Sequence, residues 1–510
     1  MARGNGRDLP SRTSDLLAAI ARDEAELSRL EREQAEARKR LAALRSEVAN
    51  VDARAPSGQR LPMVSSAAPT PADKVKLFRS LFLGREDVFP TRFVSKKTGN
   101  PGYAPACSNK FVDGVCGLKR GVKCGDCSNQ AFLPVDDAAV VGHLTGRHVM
   151  GVYPLLDDET CWFLAVDFDK SEWQKDVAAF AETCARAGVP AAVERSRSGN
   201  GAHAWFFFSG PVAASTARKM GCHLLTETMA RRHELSMKSY DRLFPSQDTM
   251  PRGGFGNLIA LPLQHGPRQQ GNSLFVDERF APFPGDEQWA YLASVSRVEP
   301  ARVEAIAQEA TRRGTVIGVR LADSGGDDLD GASPWMRLPS GNARPVRIAE
   351  PLPKDVRALL AQRLFVEKAG LPSVLVNQVK RLAAFQNPEF YRKQSMRLST
   401  ATTPRVIACA EDLPQHVALP RGCRSDLEGL LRQHGVALLV DDQRRAGVPV
   451  DYRFRGQLTP MQEQAGRALL AHDTGVFVAP PGVGKTVVGT YLVAARACST
   501  LVLVHRQPLI

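Results

Sequence analysis

The sequence has no apolar run near the ~20 residues that a membrane-spanning helix needs, which argues against a helical membrane protein. Its first ten residues, Met1 to Pro10, are polar and basic and lack the apolar core of a secretory signal. A cytoplasmic protein is the expectation. No internal repeat period and no low-complexity tail is present. Cysteine is sparse, ten in 510 residues, whereas a secreted disulfide scaffold would be smaller and more evenly cross-linked. Acidic residues fall short of basic ones, 54 Asp plus Glu against 67 Lys plus Arg, for a formal charge of +13. A basic surplus of that size fits a polyanionic partner, most often nucleic acid. Hydrophobic content of 43% and charged content of 24% are those of an ordinary globular chain. The length allows three or four domains at about 150 residues each.

A polar tail, residues 1–13, precedes a heptad pattern over residues 14–50. Leu16, Ile20, Asp23, Leu27, Leu30, Gln34, Ala37, Leu41, Leu44 and Val48 follow one another at spacings of four and three. That seam predicts a short coiled coil, between chains because no partner heptad follows. Asp23 and Gln34 interrupt it, and a single solvated helix is the plainer alternative. Residues 51–72, rich in Pro, Ser and Ala, read as a linker. Asp73 opens an amphipathic helix with Val75, Leu77, Phe78, Leu81 and Phe82 on or near its buried side. Residues 85–135 are loop-rich. Mixed α/β patterning follows, with helices expected at 140–144, 177–187 and 214–233 and strands at 160–167, 191–194, 203–208 and 257–263. Residues 301–345, Gly-, Asp-, Ser- and Pro-rich from 322, read as a linker. Residues 346–450 read as a smaller α/β unit, its clearest helical pieces at 356–365 and 375–385, with a strand at 405–408. A last domain starts at 451.

The chemistry centres on Trp162-Phe163-Leu164-Ala165-Val166-Asp167-Phe168-Asp169, an apolar strand ending in two carboxylates. Alternate side chains of a strand share a face, so Asp167 and Asp169 point the same way and Phe168 points inward. Paired carboxylates repel unless cations lie between them, which makes them a seat for divalent metal. Downstream, Ser198-Gly199-Asn200-Gly201-Ala202-His203 makes a tight turn that delivers His203 to the start of an aromatic strand. A third acid follows, Asp241 or its rival Asp248, and then a glycine-rich turn around Arg252. Each piece alone is common: Asp-x-Asp occurs in sugar-transfer enzymes, phosphatases and nucleases.

A second constellation is Cys107-x8-Cys116-x7-Cys124-x2-Cys127, within a module at about residues 103–131. Four thiolates with a tight Cys-x-x-Cys knuckle favour a closed structural Zn²⁺ site; unrelated buried cysteines or a redox pair are the alternatives. Lys110, Lys119, Arg120 and Lys123 surround it and suit template binding, or form a solvated face. A third is Ala479-Pro480-Pro481-Gly482-Val483-Gly484-Lys485-Thr486, a P-loop pattern with Ala479 at its first position. A strand is expected at 475–478 and a helix at 487–496, and Thr500 to Arg506 resembles the next strand of superfamily-2 helicases. Backbone N–H groups after Gly482 and Gly484 would cradle ATP phosphates, with Lys485 on the outer phosphates and Thr486 on Mg²⁺. Within residues 346–450, the run from Leu382 to Tyr391 with Arg392 and Lys393 offers aromatics and cations to single-stranded DNA, or is core with exposed charge.

In its ordered combination, hydrophobic-Asp-hydrophobic-Asp, then Ser-Gly-x-Gly-x-His, then an acid, residues 73–300 resemble the archaeo-eukaryotic primase superfamily. The closest likeness is to primases of bacterial TOTE conflict systems, where a cysteine cluster precedes the acidic strand and a superfamily-2 (DEAD/DEAH-like) helicase follows. The resemblance implies a primase–polymerase (RRM-like) catalytic core with a zinc-binding insert. It implies Asp167 and Asp169 as ligands of catalytic Mg²⁺ or Mn²⁺, His203 on the phosphates of an incoming nucleoside triphosphate, and Asp241 as third acid. Arg195, Arg197 and Arg252 are further phosphate-facing candidates, or plain surface charges. Gln462, in Gly456-Gln457-Leu458-Thr459-Pro460-Met461-Gln462, resembles the nucleotide-sensing segment of such helicases. The sequence ends at Ile510 before an Asp-Glu pair, so residues 451–510 are expected to be a truncated RecA-like domain without helicase activity. The fold class expected is therefore α/β and α+β multidomain. The function expected is template-directed nucleotidyl transfer on single-stranded DNA or RNA, with homo-oligomers formed through the coiled coil. A non-catalytic nucleic-acid-binding module and a metal-dependent nuclease remain the rivals.

Overall fold

The computed structural model describes residues 69–95, 98–169, 172–313, 348–445 and 447–504, with Arg29 and Val316 besides. The chain divides into two units, Met1–Ala68 and Pro69–Ile510. Apart from Arg29, which is helical, the expected coiled coil lies outside the described residues, as does the Gly-rich stretch 322–345.

The second unit opens with helix α1 (Pro71–Leu81), a hairpin of β1 (Pro90–Val94) and β2 (Pro101–Pro105), helix α2 (Asp137–Thr145) and the short strand β3 (Gly151–Val152). Thr70 caps α1 in a reciprocal pair with Asp73, which satisfies N–H groups that a helix start leaves unbonded. Next come β4 (Thr160–Phe168), α3 (Trp173–Arg186), β5 (Ala192–Arg195), β6 (Ala202–Ala213), α4 (Ala214–Arg231) and β7 (Leu243–Phe244). Strand β8 (Ile259–Ala260), helix α5 (His265–Arg268), β9 (Leu274–Phe275), α6 (Glu287–Ser294) and α7 (Pro300–Arg313) complete this part. Five strands form one antiparallel sheet in the order β7-β4-β6-β5-β9.

Both faces of that sheet are buried, because β4 and β6 carry apolar residues at odd and even positions alike. Leu164, Val166, Phe168, Phe206 and Phe208 pack with α3, α4 and α7. Phe163, Ala165, Trp205 and Phe207 pack with α1, α2 and α6. Phe82, just after α1, meets Trp205 edge-on at 5.0 Å and Phe207 at 5.3 Å. Residues 301–313, read from sequence as the start of a linker, belong instead to a core helix. Val303, Ile306, Ala307 and Ala310 recur at helical spacing and are buried.

A second sheet has the order β14-β15-β11-β10-β16, built from β10 (Asp355–Leu360), β11 (Leu364–Glu367), β14 (Glu411–Asp412), β15 (His416–Leu419) and β16 (Ala437–Asp442). The helix expected over 356–365 is a strand pair. Val356, Ala358 and Leu360 are buried at alternate positions of β10, a period of two rather than 3.6. Helices α8 (Ser373–Arg381) and α10 (Arg424–Gln433) cover this sheet, and the helix expected to run on to 385 gives way to a strand.

Between them, β12 (Ala384–Gln386), α9 (Pro388–Ser395) and β13 (Val406–Ala408) leave the second sheet and close on the first core, which Ala384 and Val406 join. Arg405, buried, organises the junction. Its N–H donates to Asp241 Oδ1 at 2.6 Å, and its guanidinium stacks 4.3 Å from the Phe390 ring and donates to the Ser246 carbonyl. Beside it Arg218 forms a two-pronged ion pair with Asp248, with Nη2–Oδ2 at 2.9 Å, and Gln394 Nε2 donates to Asp248 at 3.1 Å. Phe390 is therefore core, and Phe385 alone of the aromatics proposed for this run stands clearly exposed.

Toward the C-terminus, α11 (Pro460–Leu470) packs on α12 (Lys485–Arg496). Residues 475–480 and 500–504 form no regular element and pair with no strand among the described residues. Val476, Val478, Leu501 and Leu503 consequently face solvent. The strands expected there lack a ladder partner, and a strand alone leaves its N–H and C=O groups unpaired.

The Arg218–Asp248 pair gives a stability test. Asp248→Ala leaves a buried guanidinium with one partner fewer and should lower stability by about 3–5 kcal/mol, read by urea or thermal unfolding. Burial pushes the Asp248 carboxyl up, but Arg218 and then Arg405 more than offset this and hold it well below the usual carboxylate range. The folded value is depressed, so the contribution is complete above the ordinary value near ~3.9 and lost only as pH falls through the lower one. The gap between wild type and variant should be the same at pH 7 and pH 5.

Candidate active site

Asp167 is the last residue of β4 on the face that carries Phe163 and Ala165, and it pairs in register with His203 of β6. His203 in turn pairs with Glu194 of β5. Three neighbouring strands thus set an acid, a histidine and a second acid side by side at one end of the sheet. His203 Nδ1 donates to Glu194 Oε2 at 2.8 Å, which leaves Nε2 aimed toward Asp167, 3.7 Å from Oδ1. Glu194 also accepts from Trp205 Nε1 at 3.1 Å and from the Ser273 hydroxyl at 3.4 Å, and its side chain is 2% exposed.

Burial alone would push the His203 imidazole down. The Glu194 carboxylate, by charge and hydrogen bond, reverses this with help from Asp167, and the net shift is upward. The protonated ring is thereby favoured, and it directs Nε2–H to the acids. Glu194 carries no motif, but its signal was in the sequence: a charge inside Ala192-Val193-Glu194-Arg195, in phase with Ala192 on the inward face.

Arg242 closes the cluster. Its Nη1 lies 3.0 Å from Asp167 Oδ2 and 2.5 Å from Asp169 Oδ2. One guanidinium nitrogen touching both carboxylates shows that Asp167 and Asp169 share a side. The register of β7 explains the arrangement. Ala165 pairs with Phe244 and Val166 with Leu243, and the Asp167 N–H bonds to the Arg242 carbonyl at 3.0 Å. Arg242 therefore follows Asp167's face, whereas Asp241 falls one position away, on the other side. The structure places Asp241 on the Arg405 N–H and Asp248 on Arg218, and brings neither to the pair. Burial, only partly offset by Arg405, raises the Asp241 carboxyl.

The Ser198–His203 turn lies against the strand end that bears the acids. A Cβ on Gly201 would sit 2.4 Å from the Phe168 carbonyl oxygen and 3.2 Å from Asp169 Cα, so only glycine permits this approach. Arg197, beside the turn, bonds to Gln264 and feels the charge of Arg92. Arg195 is spent on backbone, with Nη2 donating to the Phe280 carbonyl at 2.6 Å and Nη1 to that of Gly271 at 3.4 Å. Arg252 is exposed, and its N–H donates to the Arg397 carbonyl at 2.9 Å.

Cys107, Cys116, Cys124 and Cys127 line one small cavity. Side-chain amides tie its loops: Asn109 to the Asn129 carbonyl, Asn129 to that of Val115, and Gln130 to that of Gly125. Burial pushes the Cys124 thiol up, and the neighbouring Cys116 and Cys107 add to it. The knuckle also docks on the turn at Arg252, since the Gly253 carbonyl occupies the place of a Cβ on Gly125, 1.6 Å away. Among the described residues no group of three or more Cys, His, Asp or Glu is already drawn into a ligand set. In the P-loop segment, Lys485 Nζ donates to the carbonyls of Ala479 at 2.8 Å and Pro480 at 3.0 Å. Gln462, in a capping pair with Thr459, donates to the Val483 carbonyl between Gly482 and Gly484 at 2.8 Å. Thr486 follows Lys485 in the first turn of α12.

Residues 73–306 match the family model described as the TOTE conflict system, Archaeo-Eukaryotic Primase domain. The matched segment runs from within α1 to within α7, and so includes the sheet, both helix layers, the acidic pair, His203, Glu194 and the cysteine cluster. Among solved structures, the polymerase domain of Mycobacterium tuberculosis Ligase D in complex with DNA is similar at 13% identity, with a TM-score of 0.26, over 50% of this chain and 96% of that one. No curated protein matches the chain.

The Glu194–His203 contact is open to titration in metal-free protein. The His203 ring resonances should titrate above the ordinary value near ~6.5, and Glu194→Gln should bring that midpoint down. The folded value is raised, so the stability this pair adds is complete below ~6.5 and fades as pH rises through the folded midpoint. An unshifted midpoint in Glu194→Gln would remove Glu194 as the cause.

Proposed function

We propose that residues 73–306 form a template-directed nucleotidyltransferase of primase–polymerase type, in which a 3′-hydroxyl attacks the α-phosphate of a nucleoside triphosphate. The observation that carries this reading is the juxtaposition of Asp167, Asp169 and His203 at one sheet end, inside the segment that matches the primase family model. The donor set fits a divalent cation. Two carboxylates share a side that already attracts the Arg242 guanidinium, and Mg²⁺ is commonly held by one or two carboxylates with substrate phosphates and water. Asp167 and Asp169 would hold Mg²⁺ or Mn²⁺, which when bound supplies charge against the triphosphate and a lowered pKa for the attacking hydroxyl. His203 donates Nε2–H to a phosphate oxygen, and Glu194 fixes its tautomer and charge. Arg242 and Arg197 add positive charge at the rim. Asp241 stays a proposed third acid only if it leaves Arg405.

The four cysteines would hold structural Zn²⁺, a reading supported by their sharing one cavity. Residues 451–504 would bind ATP weakly through Lys485 and Thr486, as a part joined to a superfamily-2 helicase, and the whole would serve a conflict system.

Incubation with single-stranded template, labelled nucleotides and Mg²⁺ or Mn²⁺ should give extended product, lost in Asp167→Ala plus Asp169→Ala. No product from wild type under either metal overturns the reading, and a shortened template points to a nuclease. Metal analysis should find close to one Zn²⁺ per chain, and less than about half an equivalent would count against the zinc site.

A further inference from the structure

Hairpin β1–β2 has two unlike faces. The cross-strand pair Arg92–Tyr103 lies on one, and Phe93–Gly102 on the other. Arg92 and Tyr103 are neighbours of Arg197, which is pushed down by burial and then by the Arg92 charge, at the turn that leads to His203. On the other face the Phe93 ring lies across Gly102, where a Cβ would come within 2.8 Å of it. One side of that ring rests on backbone, and the residue is still 43% exposed. Lys110 Nζ lies 5.7 Å from the Phe93 ring centroid and 5.6 Å from that of Phe111. Phe111 is 63% exposed and has φ of 65°, a left-handed backbone that a bulky side chain rarely adopts. Neither ring is needed by the core, since both lie outside the buried clusters. The fold thus carries a strained backbone at Phe111 and two wetted aromatics outside its core, an arrangement that belongs with binding. Arg120 and Lys123, also exposed, add cations to the same module.

We propose that Phe93, Lys110 and Phe111 form a stacking platform for single-stranded nucleic acid, with the bases on the two rings and the backbone phosphate on Lys110. The proposal extends the nucleotidyl-transfer reading by naming where the template is gripped, but the binding needs no catalysis. Every base has a flat π face, so such a platform takes any sequence, and it takes unpaired strands because paired bases are already stacked. The cations favour a polyanion over an apolar protein surface.

Anisotropy titration of a fluorescein-labelled oligothymidylate with the full chain tests it. Phe93→Ala and Phe111→Ala should each weaken binding roughly 5- to 150-fold. Phe93→Leu, which still covers Gly102, should weaken it as Phe93→Ala does, and Phe93→Tyr should bind as wild type. Lys110→Gln should reduce the slope of log affinity against log salt by about 0.7. The titration needs neither nucleotide nor divalent metal, so a failed polymerase assay and a failed platform are distinguishable. Circular dichroism and zinc content matched to wild type show that a variant is folded. If Phe111→Ala does not fold, Phe93→Leu decides. Wild-type affinity in Phe93→Leu, or a wild type that binds no better to single strand than to duplex, overturns the proposal.

Discussion

A carboxylate 2% exposed, in the middle of a sheet, is tenable only if every one of its oxygens is engaged. Glu194 meets that condition through His203, Trp205 and Ser273, and the cluster depends on it. Because Glu194 sits against Nδ1, the His203 pKa is raised. Because Nδ1 is taken, Nε2 has one direction left. Because β5, β6 and β4 are in register, that direction is toward Asp167. The acidic strand end and the histidine turn are local features, but their relation to each other is set by a residue belonging to neither.

The arrangement was partly legible beforehand. Alternation along β4 correctly gave Asp167 and Asp169 a common side, and the glycines before His203 announced a close approach that Gly201 makes against Phe168. What eluded a linear reading was parity across strands. Asp241 is the acid that motif order favours, yet ladder register gives its neighbour Arg242 to the active face. The same blindness made a helix of residues 356–365, where apolar density concealed a period of two. It also missed the helical stripe of α7 behind a span read as linker.

Long-range polar pairing was the other hidden layer. Nothing in the spacing of Arg218, Asp248, Gln394 and Arg405 says that they meet, because they lie on elements far apart in the chain. Charges that look like surface decoration in a sequence became the contents of a buried junction, and Phe390, which resembled a nucleic-acid contact, became the ring beneath Arg405.

That junction has a mechanical side. Asp241 accepts the Arg405 N–H, and Arg242, the next residue, grips both carboxylates of the acidic pair. A displacement of the 384–408 lobe therefore has one peptide unit to cross before it reaches Asp167. A border drawn along the sequence at residue 306 is not a border in space: cut there, the first core would lose the cover of Ala384 and Val406 and the anchor of Asp241 together. The matched segment and the lobe that follows it thus meet one residue away from the guanidinium that holds the acids.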